Sequence, residues 1–242
     1  MVCETRLLFI NSADRTSNSA SSTDFEIEFF HRELRFSRFR VRKIVIPKTV
    51  YNVDSSNNTV YFNDGTAKTA SLTHGSYSTI DQLATEITSK VTTASGIQTY
   101  TYTYDTVTGF LTITSSGTSS FTWTSNLELG KMCGFTADTA SGTTHTSTQR
   151  VNLENRPWLF LTCKQLADQS ISSNQNIDHS ILSVNSISHA HGSVIEEVFD
   201  LYPFQSIGAY QTFNRLSFRL LDQNGEVIDL HGSEFFVEFD VE

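Results

Sequence analysis

An all-β protein carrying one small α+β insertion is what this sequence predicts, and three observations lead there. The 242 residues include 18 Phe and 8 Tyr but only 3 Pro, a composition that favours pleated, half-buried surfaces. Apolar residues alternate with charged ones over short runs near both ends of the chain, as in DFEIEFF and RLSFRLL, which is the period of a strand with one face in a core. Helical spacing shows clearly only once, in SYSTIDQLATEITSKVTTASG, inside a Thr- and Ser-rich middle.

In chain order, RLLFI predicts a first strand near residues 5–10. The polar run NSADRTSNSASSTD follows, and because DFEIEF resumes alternation at once, the run reads as a long loop within a domain. Strand two, near 24–30, sets Phe25, Ile27 and Phe29 against acids. Strand three, near 37–46, sets Phe39, Val41 and Ile44 against cations. The helix starts with Ser78 and Asp81 in a capping-box spacing, repeats Ile80, Leu83, Ala84, Ile87 and Val91 on one face, and stops at Gly96. TVYF precedes it, a Tyr/Thr ribbon turning around Asp105 to Gly109 follows, and SFTWT comes after.

Five more strands are expected near 158–164, 180–187, 194–200, 214–221 and 233–241, with Asn224-Gly225 reading as a type I′ hairpin turn. Long polar loops join several of the strands, which suits Greek-key crossings between two sheets. The expected fold is therefore a single eight-stranded jelly-roll sandwich. It is built from 1–51 and 151–242, with residues 52–150 as an α+β domain inserted between the third and fourth strands.

At this length a core needs neither disulfides nor metal, since such chains bury roughly 70% of their unfolded surface. Cys3, Cys133 and Cys163 are three widely spaced cysteines, expected as free thiols made in a reducing compartment. The N-terminus shows no cleavable signal peptide and no run reaches the ~20 apolar residues of a membrane span, so the sequon at Asn57 is expected to stay bare. Net charge is −9, yet Arg32, Arg35, Arg38, Arg40, Arg42, Lys43 and Lys48 cluster early while the tail from Glu226 is acidic. A chain this acidic is not composed as a general nucleic-acid binder. Two patches of opposite sign suit contact with other copies.

Catalytic signatures are missing: there is no GxSxG, HExxH or CxxC, and LELGKMC lacks the first Gly and the Ser or Thr of a phosphate loop. The expectation is a protein that is not an enzyme, with no cofactor. His189 and His191 in SHAHGS, with Glu196 or Glu197, are the best metal candidates, but turn residues are the default because zinc needs three or four ligands. Cys163 reads as a core thiol, and Asp24, Glu26 and Glu28 as a charged strand face. Arg38, Arg40 and Arg42 recur every second residue, so they share one face at about 7 Å spacing and require neutralisation. Carboxylates of the same chain, or of a neighbouring subunit, would supply it; Glu238 and Asp240 are the tail acids assigned to such an interface. Tyr100, Tyr102, Tyr104 and Trp123 are candidates for surface recognition, by stacking on sugars, or for one face of a ribbon packed on the helix.

The succession INSADRTSNSASSTDFEIEF, VRKIVIPKTVYNV, GSYSTIDQLATEI, YTYDTVTGFLTIT, LGKMCGF and LSFRLLDQNGEVIDLHGSEFFVEFDV resembles the penton-type minor capsid proteins of virophages and polinton-like viruses along nearly the whole chain. The resemblance implies a single jelly roll at the five-fold vertices of an icosahedral virion, a homopentamer set among major capsid protein hexamers. The insert would then project outward as an upper domain, where a host-cell receptor would be met. It carries over no catalytic site, and the chain lacks the Arg-Gly-Asp tripeptide of some adenovirus penton bases. Under this resemblance the segment after the first strand becomes an arm ordered by neighbouring subunits. Nucleic-acid or membrane contact through the arginine face is the minor alternative, and a glycan- or receptor-binding β-sandwich is the other function class.

Overall fold

The computed structural model describes residues 5–29, 33–154, 156–166, 180–187, 190–199 and 201–242. It is mostly β-sheet and divides into two compact bodies, Met1–Val50 with Arg156–Glu242, and Tyr51–Asn155. The strands run β1 (Arg6–Asn11), β2 (Asp24–Glu28) and β3 (Leu34–Pro47) in the first body. The second body supplies β4 (Thr59–Asn63), β5 (Ala67–Ser71), β6 (Tyr100–Asp105), β7 (Phe110–Phe121) and β8 (Gly142–Thr146). The first resumes with β9 (Trp158–Cys163), β10 (Ile181–Ser186), β11 (Val194–Val198), β12 (Gln205–Phe213), β13 (Arg215–Leu221) and β14 (Phe236–Val241).

The first body holds two antiparallel sheets. One has the order β1-β14-β3, with β11 and β12 both paired along the far edge of the long β3; the other has the order β10-β9-β13-β2. Alternation in the sequence places the core: Leu8 and Ile10, Phe25 and Ile27, Leu216, Phe218 and Leu220, and Val237, Phe239 and Val241 all point inward. Rings join the sheets, with Phe218 of one 6.0 Å from Phe239 of the other and Phe25 5.6 Å from Phe218. All eight expected strands of this body exist, and β12 is a ninth that the sequence pattern does not reveal.

β3 departs from simple alternation for a physical reason. Opposite β14 its register shifts, so that Glu238 faces Lys43 while Phe239 faces Val41, leaving Arg42 as an extra residue. Such a bulge lets two successive cations stay on the outer face and returns Ile44 to the core, where it is fully buried. The run VRKI is a strand with one residue too many.

Two local expectations change. Asn224-Gly225 does not form a type I′ turn: Gly225 takes φ 84°, but His231 is the only non-glycine with positive φ among the described residues. Gly225 N–H donates to the Asp222 carbonyl and Asp222 N–H to that of Glu226, a three-residue loop in which only the glycine must be left-handed. The return past this loop is short, with Leu221 bridging Val227, and the chain then crosses to the other sheet as β14.

The segment between β1 and β2 is folded onto its own chain, where the arm reading had it held by neighbours. Ser12 is fully buried, its N–H donates to the Phe235 carbonyl at 3.0 Å, and its hydroxyl accepts from Phe235 N–H at 2.9 Å while donating to Glu234. Arg15 pairs with Glu234 at 2.7 Å. Ser19, Ser21 and Thr23 hold the backbone of Glu26, the backbone of Asp24 and the carbonyl of Ile228. Short polar side chains are abundant here because they satisfy backbone groups where no ladder does.

In the second body the sheet order is β5-β4-β7-β6, with β8 on β7, and α1 (Ile80–Ser95) lies along β5 and β6. Its N-cap is Thr79, one residue beyond the expected Ser78, and Ser78 donates to Gln82 from both its N–H and its hydroxyl. Gly96 caps the other end at φ 68°. A second, six-residue helix, α2 (Leu127–Met132), occupies LELGKM, and Trp123 sits in a 3-10 turn rather than a strand. Asn52 ties the start of this body to its middle and end, donating to the carbonyls of Tyr77 and Leu153.

The loop between β1 and β2 yields a direct test. Ser12→Ala should lower unfolding free energy by about 1–3 kcal/mol in urea titrations, because Phe235 N–H loses its buried acceptor. Hydrogen exchange on the isolated chain should show the Thr16 and Glu26 amides protected; rapid exchange at both would restore the arm reading.

Candidate subunit-contact face

The outer face of the β1-β14-β3 sheet is built by the same alternation that makes the core. With Val237, Phe239 and Val241 turned inward, Glu238, Asp240 and Glu242 project outward, beside the outward arginines of β3. Arg40 places Nε and Nη2 each 2.7 Å from Asp240 Oδ2. Arg38 reaches Glu242 Oε2 at 3.0 Å, and Arg42 reaches Glu238 Oε1 at 3.0 Å. Phe204 lies beneath the first two guanidinium groups, 5.2 Å from that of Arg38 and 4.9 Å from that of Arg40. The structure thus brings together all five residues of the expected interface and neutralises the arginines within one chain.

The two charges of this ladder meet water unequally. Side chains of Arg38 and Arg42 are 52% and 43% exposed, whereas Glu242, Asp240 and Glu238 are 13%, 5% and 14% exposed. The face is formally balanced yet presents guanidinium groups outward. Apolar side chains flank it: Leu7 and Phe9 on β1 and Val198 on β11 are about half exposed, and Phe9 stacks on Phe236 at 6.0 Å. RLLFI has no polar alternation, so its sequence does not mark which side chains face out.

The acidic row of β2 is also paired, across β13. Arg215 bridges Glu26 and Glu28, and Arg219 lies 3.6 Å from Asp24. No calcium or acid–base role follows from carboxylates held this way. Sequence reasoning missed Arg215 and Arg219 as their counterions, although RLSFRLL shows both on the outward phase.

The proposed recognition aromatics separate into two groups. Trp123 is 1% and Tyr100 5% exposed; Trp123 lies between Phe121 at 5.5 Å and Phe135 at 4.9 Å. Neither is available to a sugar, which corrects the surface reading of both. Tyr102 and Tyr104 are half-buried against the core, and Tyr102 Oη donates weakly to Asp81 on α1. Beneath this ribbon runs a buried polar network. Ser119 hydroxyl contacts His145 Nε2 at 3.1 Å, and Asp64 accepts from Ser95 and Lys68. Burial alone would raise Asp64, but the hydrogen bonds of Ser95 and Lys68 and the lysine charge outweigh it and hold the carboxyl low. Burial lowers His145, against a backbone hydrogen bond at Gly142 that raises it.

Cys133 and Cys163 are buried free thiols pushed up to about 12 by burial, inert as nucleophiles. Cys3 and His189 lie outside the described residues. Among the described residues no three His, Cys, Asp or Glu side chains are grouped to hold a metal ion. Asn57 is fully buried, with its amide on the Asn52 carbonyl and its oxygen accepting from Asp54 N–H, so the folded sequon is inaccessible.

Two measurements probe these groups. Asp240→Asn should cost about 1–3 kcal/mol, because the Arg40 guanidinium loses a charged acceptor that is itself buried; a change below about 0.5 kcal/mol would reduce the pair to an ordinary surface contact. Because the folded state lowers His145 from 6.5, the unfolded chain binds its proton first, and stability should fall as pH drops below about 6.5. In His145→Gln that slope should flatten between about pH 7 and 5, and thermal melts across this window read it.

No protein-family model matches the chain, and no curated protein matches it. Among solved structures, the chain is similar in fold to the mavirus penton protein, known from a crystal structure of the selenomethionine-labelled protein. The likeness has a TM-score of 0.50 at 11% identity and covers 99% of each chain, so it takes in both bodies.

Proposed function

We propose that this chain is a structural capsid protein of the penton type, a homopentamer at the five-fold vertices of an icosahedral virion, seated among major capsid protein hexamers. The observation that carries the reading is the end-to-end fold likeness to a penton protein. Strand order supports it: β1-β14-β3 with β11 and β12, and β10-β9-β13-β2, are consistent with a jelly roll in which nine strands would fill eight positions. In this reading 1–51 and 151–242 form the jelly roll and 52–150 an inserted upper domain facing the host-cell surface. Arg38, Arg40, Arg42, Glu238 and Asp240 stand on a face that meets the next copy, and the protein has a structural rather than a catalytic role. A glycan-binding role for the ribbon loses Tyr100 and Trp123 to the core and rests on Tyr102 and Tyr104 alone.

Sedimentation equilibrium over a wide concentration range tests the ring. The expected species has five times the 27.1 kDa chain mass. A stable trimer would move the assignment to a fibre or receptor-binding protein. A monomer at every concentration, even with the major capsid protein added, would end the vertex reading.

A further inference from the structure

The second body carries a groove on the outer face of its sheet. Tyr61 and Asn63 project outward from β4, Thr69 from β5 and Ser120 from β7, because Val60, Phe62, Ala70 and Phe121 take the inward phase. Thr122 and Ser125 add their hydroxyls from the segment that follows β7, and Ala67, opposite Asn63 on β5, is too small to fill the space. The groove measures about 370 Å³, within the roughly 300–1,000 Å³ of small-ligand sites. Such sites are predominantly apolar, whereas this one is lined by hydroxyls, an amide and one half-buried tyrosine ring. Among the described residues the hydroxyls of Tyr61, Thr69, Ser120, Thr122 and Ser125 make no hydrogen bond, and the Asn63 side chain uses only its oxygen, which accepts from Gly65 N–H. The charged residue at the groove is Lys68, and its ammonium is spent on the Asp64 carboxylate at 3.0 Å and the Ser95 carbonyl at 2.6 Å.

We propose that this groove binds a neutral oligosaccharide, with the Tyr61 ring beneath the C–H face of one sugar and the surrounding hydroxyls and amide exchanging hydrogen bonds with the sugar hydroxyls. The face of an aromatic ring is negative and attracts weakly positive C–H hydrogens. Serine, threonine and tyrosine hydroxyls both give and accept, as sugar hydroxyls do, and the Asn63 nitrogen adds two donors. Charge selects the class of ligand: an anionic one finds its cation already paired, and a cationic one finds Asp64 buried and paired. A peptide added as a strand would pair along the free edge of β5 and miss the groove, which lies over β4 on the face of the sheet. Further along β7 the outward phase runs through Thr118, Ser116, Thr114 and Thr112, so a chain of several sugars meets no charge on that strand. The assignment goes beyond the vertex reading and stands without it, since every group it uses belongs to one chain.

An array of neutral oligosaccharides, printed beside sialylated and sulfated versions of the same cores and read with the labelled full chain, tests this, with calorimetric titration of the hits. Neutral glycans should bind at millimolar concentration or below. Tyr61→Ala should weaken the best of them about tenfold, the scale of one aromatic contact, while Tyr61→Phe should keep most of the affinity. Ala67→Gln, at an exposed position on β5, should block the groove without touching the core, and unchanged melting temperatures verify that the variants fold. Tyr102→Ala, on the neighbouring ribbon, should bind as the wild type does. A preference for the charged glycans would overturn the proposal, as would binding that both groove variants leave intact, or no neutral glycan bound at millimolar concentration. Sedimentation reads the pentamer separately, so failure of the groove and failure of the ring are distinguishable.

Discussion

A row of phenylalanine rings holds the two sheets of the first body together, and the positions of the other residues follow from it. Phe25 meets Phe218, Phe218 meets Phe239, Phe239 meets Phe39, and Phe39 leads through Phe36 to Phe213. Each buried ring contributes roughly 1.5–3 kcal/mol relative to exposure, and their geometry admits only one phase of each strand. Once Phe239 and Phe39 are inside, Asp240, Arg38 and Arg40 must be outside on neighbouring strands. The charged ladder is thus set by the aromatic core beneath it. A one-residue slip would bury the charges and expose the rings.

The sequence revealed strands wherever alternation was clean, as in DFEIEF, RLSFRLL and FVEFDV, because a half-buried strand leaves a period of two. It concealed β12, where QSIGAYQTF has no such period: its pairing with β3 jumps from Ser206 opposite Arg38 to Gln211 opposite Phe36. On the stretch after β1 it left two readings open, a loop within the domain and an arm. Ser, Thr, Asn and Asp are the composition of disorder and equally of a loop whose side chains replace backbone partners, and only the positions of Phe235, Glu234 and Ile228, more than 200 residues away, decide between them.

Long separation in the chain likewise hid the partners of the arginines. Their need for neutralisation was legible from spacing, and the tail acids were legible as candidates, but whether the two meet within a copy or between copies depends on β14 lying beside β3. The aromatic insert failed differently. Phe121 ends β7 and Trp123 opens the 3-10 turn that follows, stacked between Phe121 and Phe135, so a side chain that suggested a binding surface became part of the body's own core.

The location of β14 also bears on how the protein is made. It lies between β1 and β3, so the middle of that sheet is the last strand in the sequence, entering some 190 residues after its neighbour β3 is complete. On a ribosome, β1 and β3 must therefore wait with unsatisfied edges while Tyr51–Asn155, contiguous in sequence, is free to fold on emergence. The sandwich closes in one late step dominated by distant pairings, which are slow to form. During that interval the open edges of β1 and β3 present unpaired backbone groups to which another chain could add a strand.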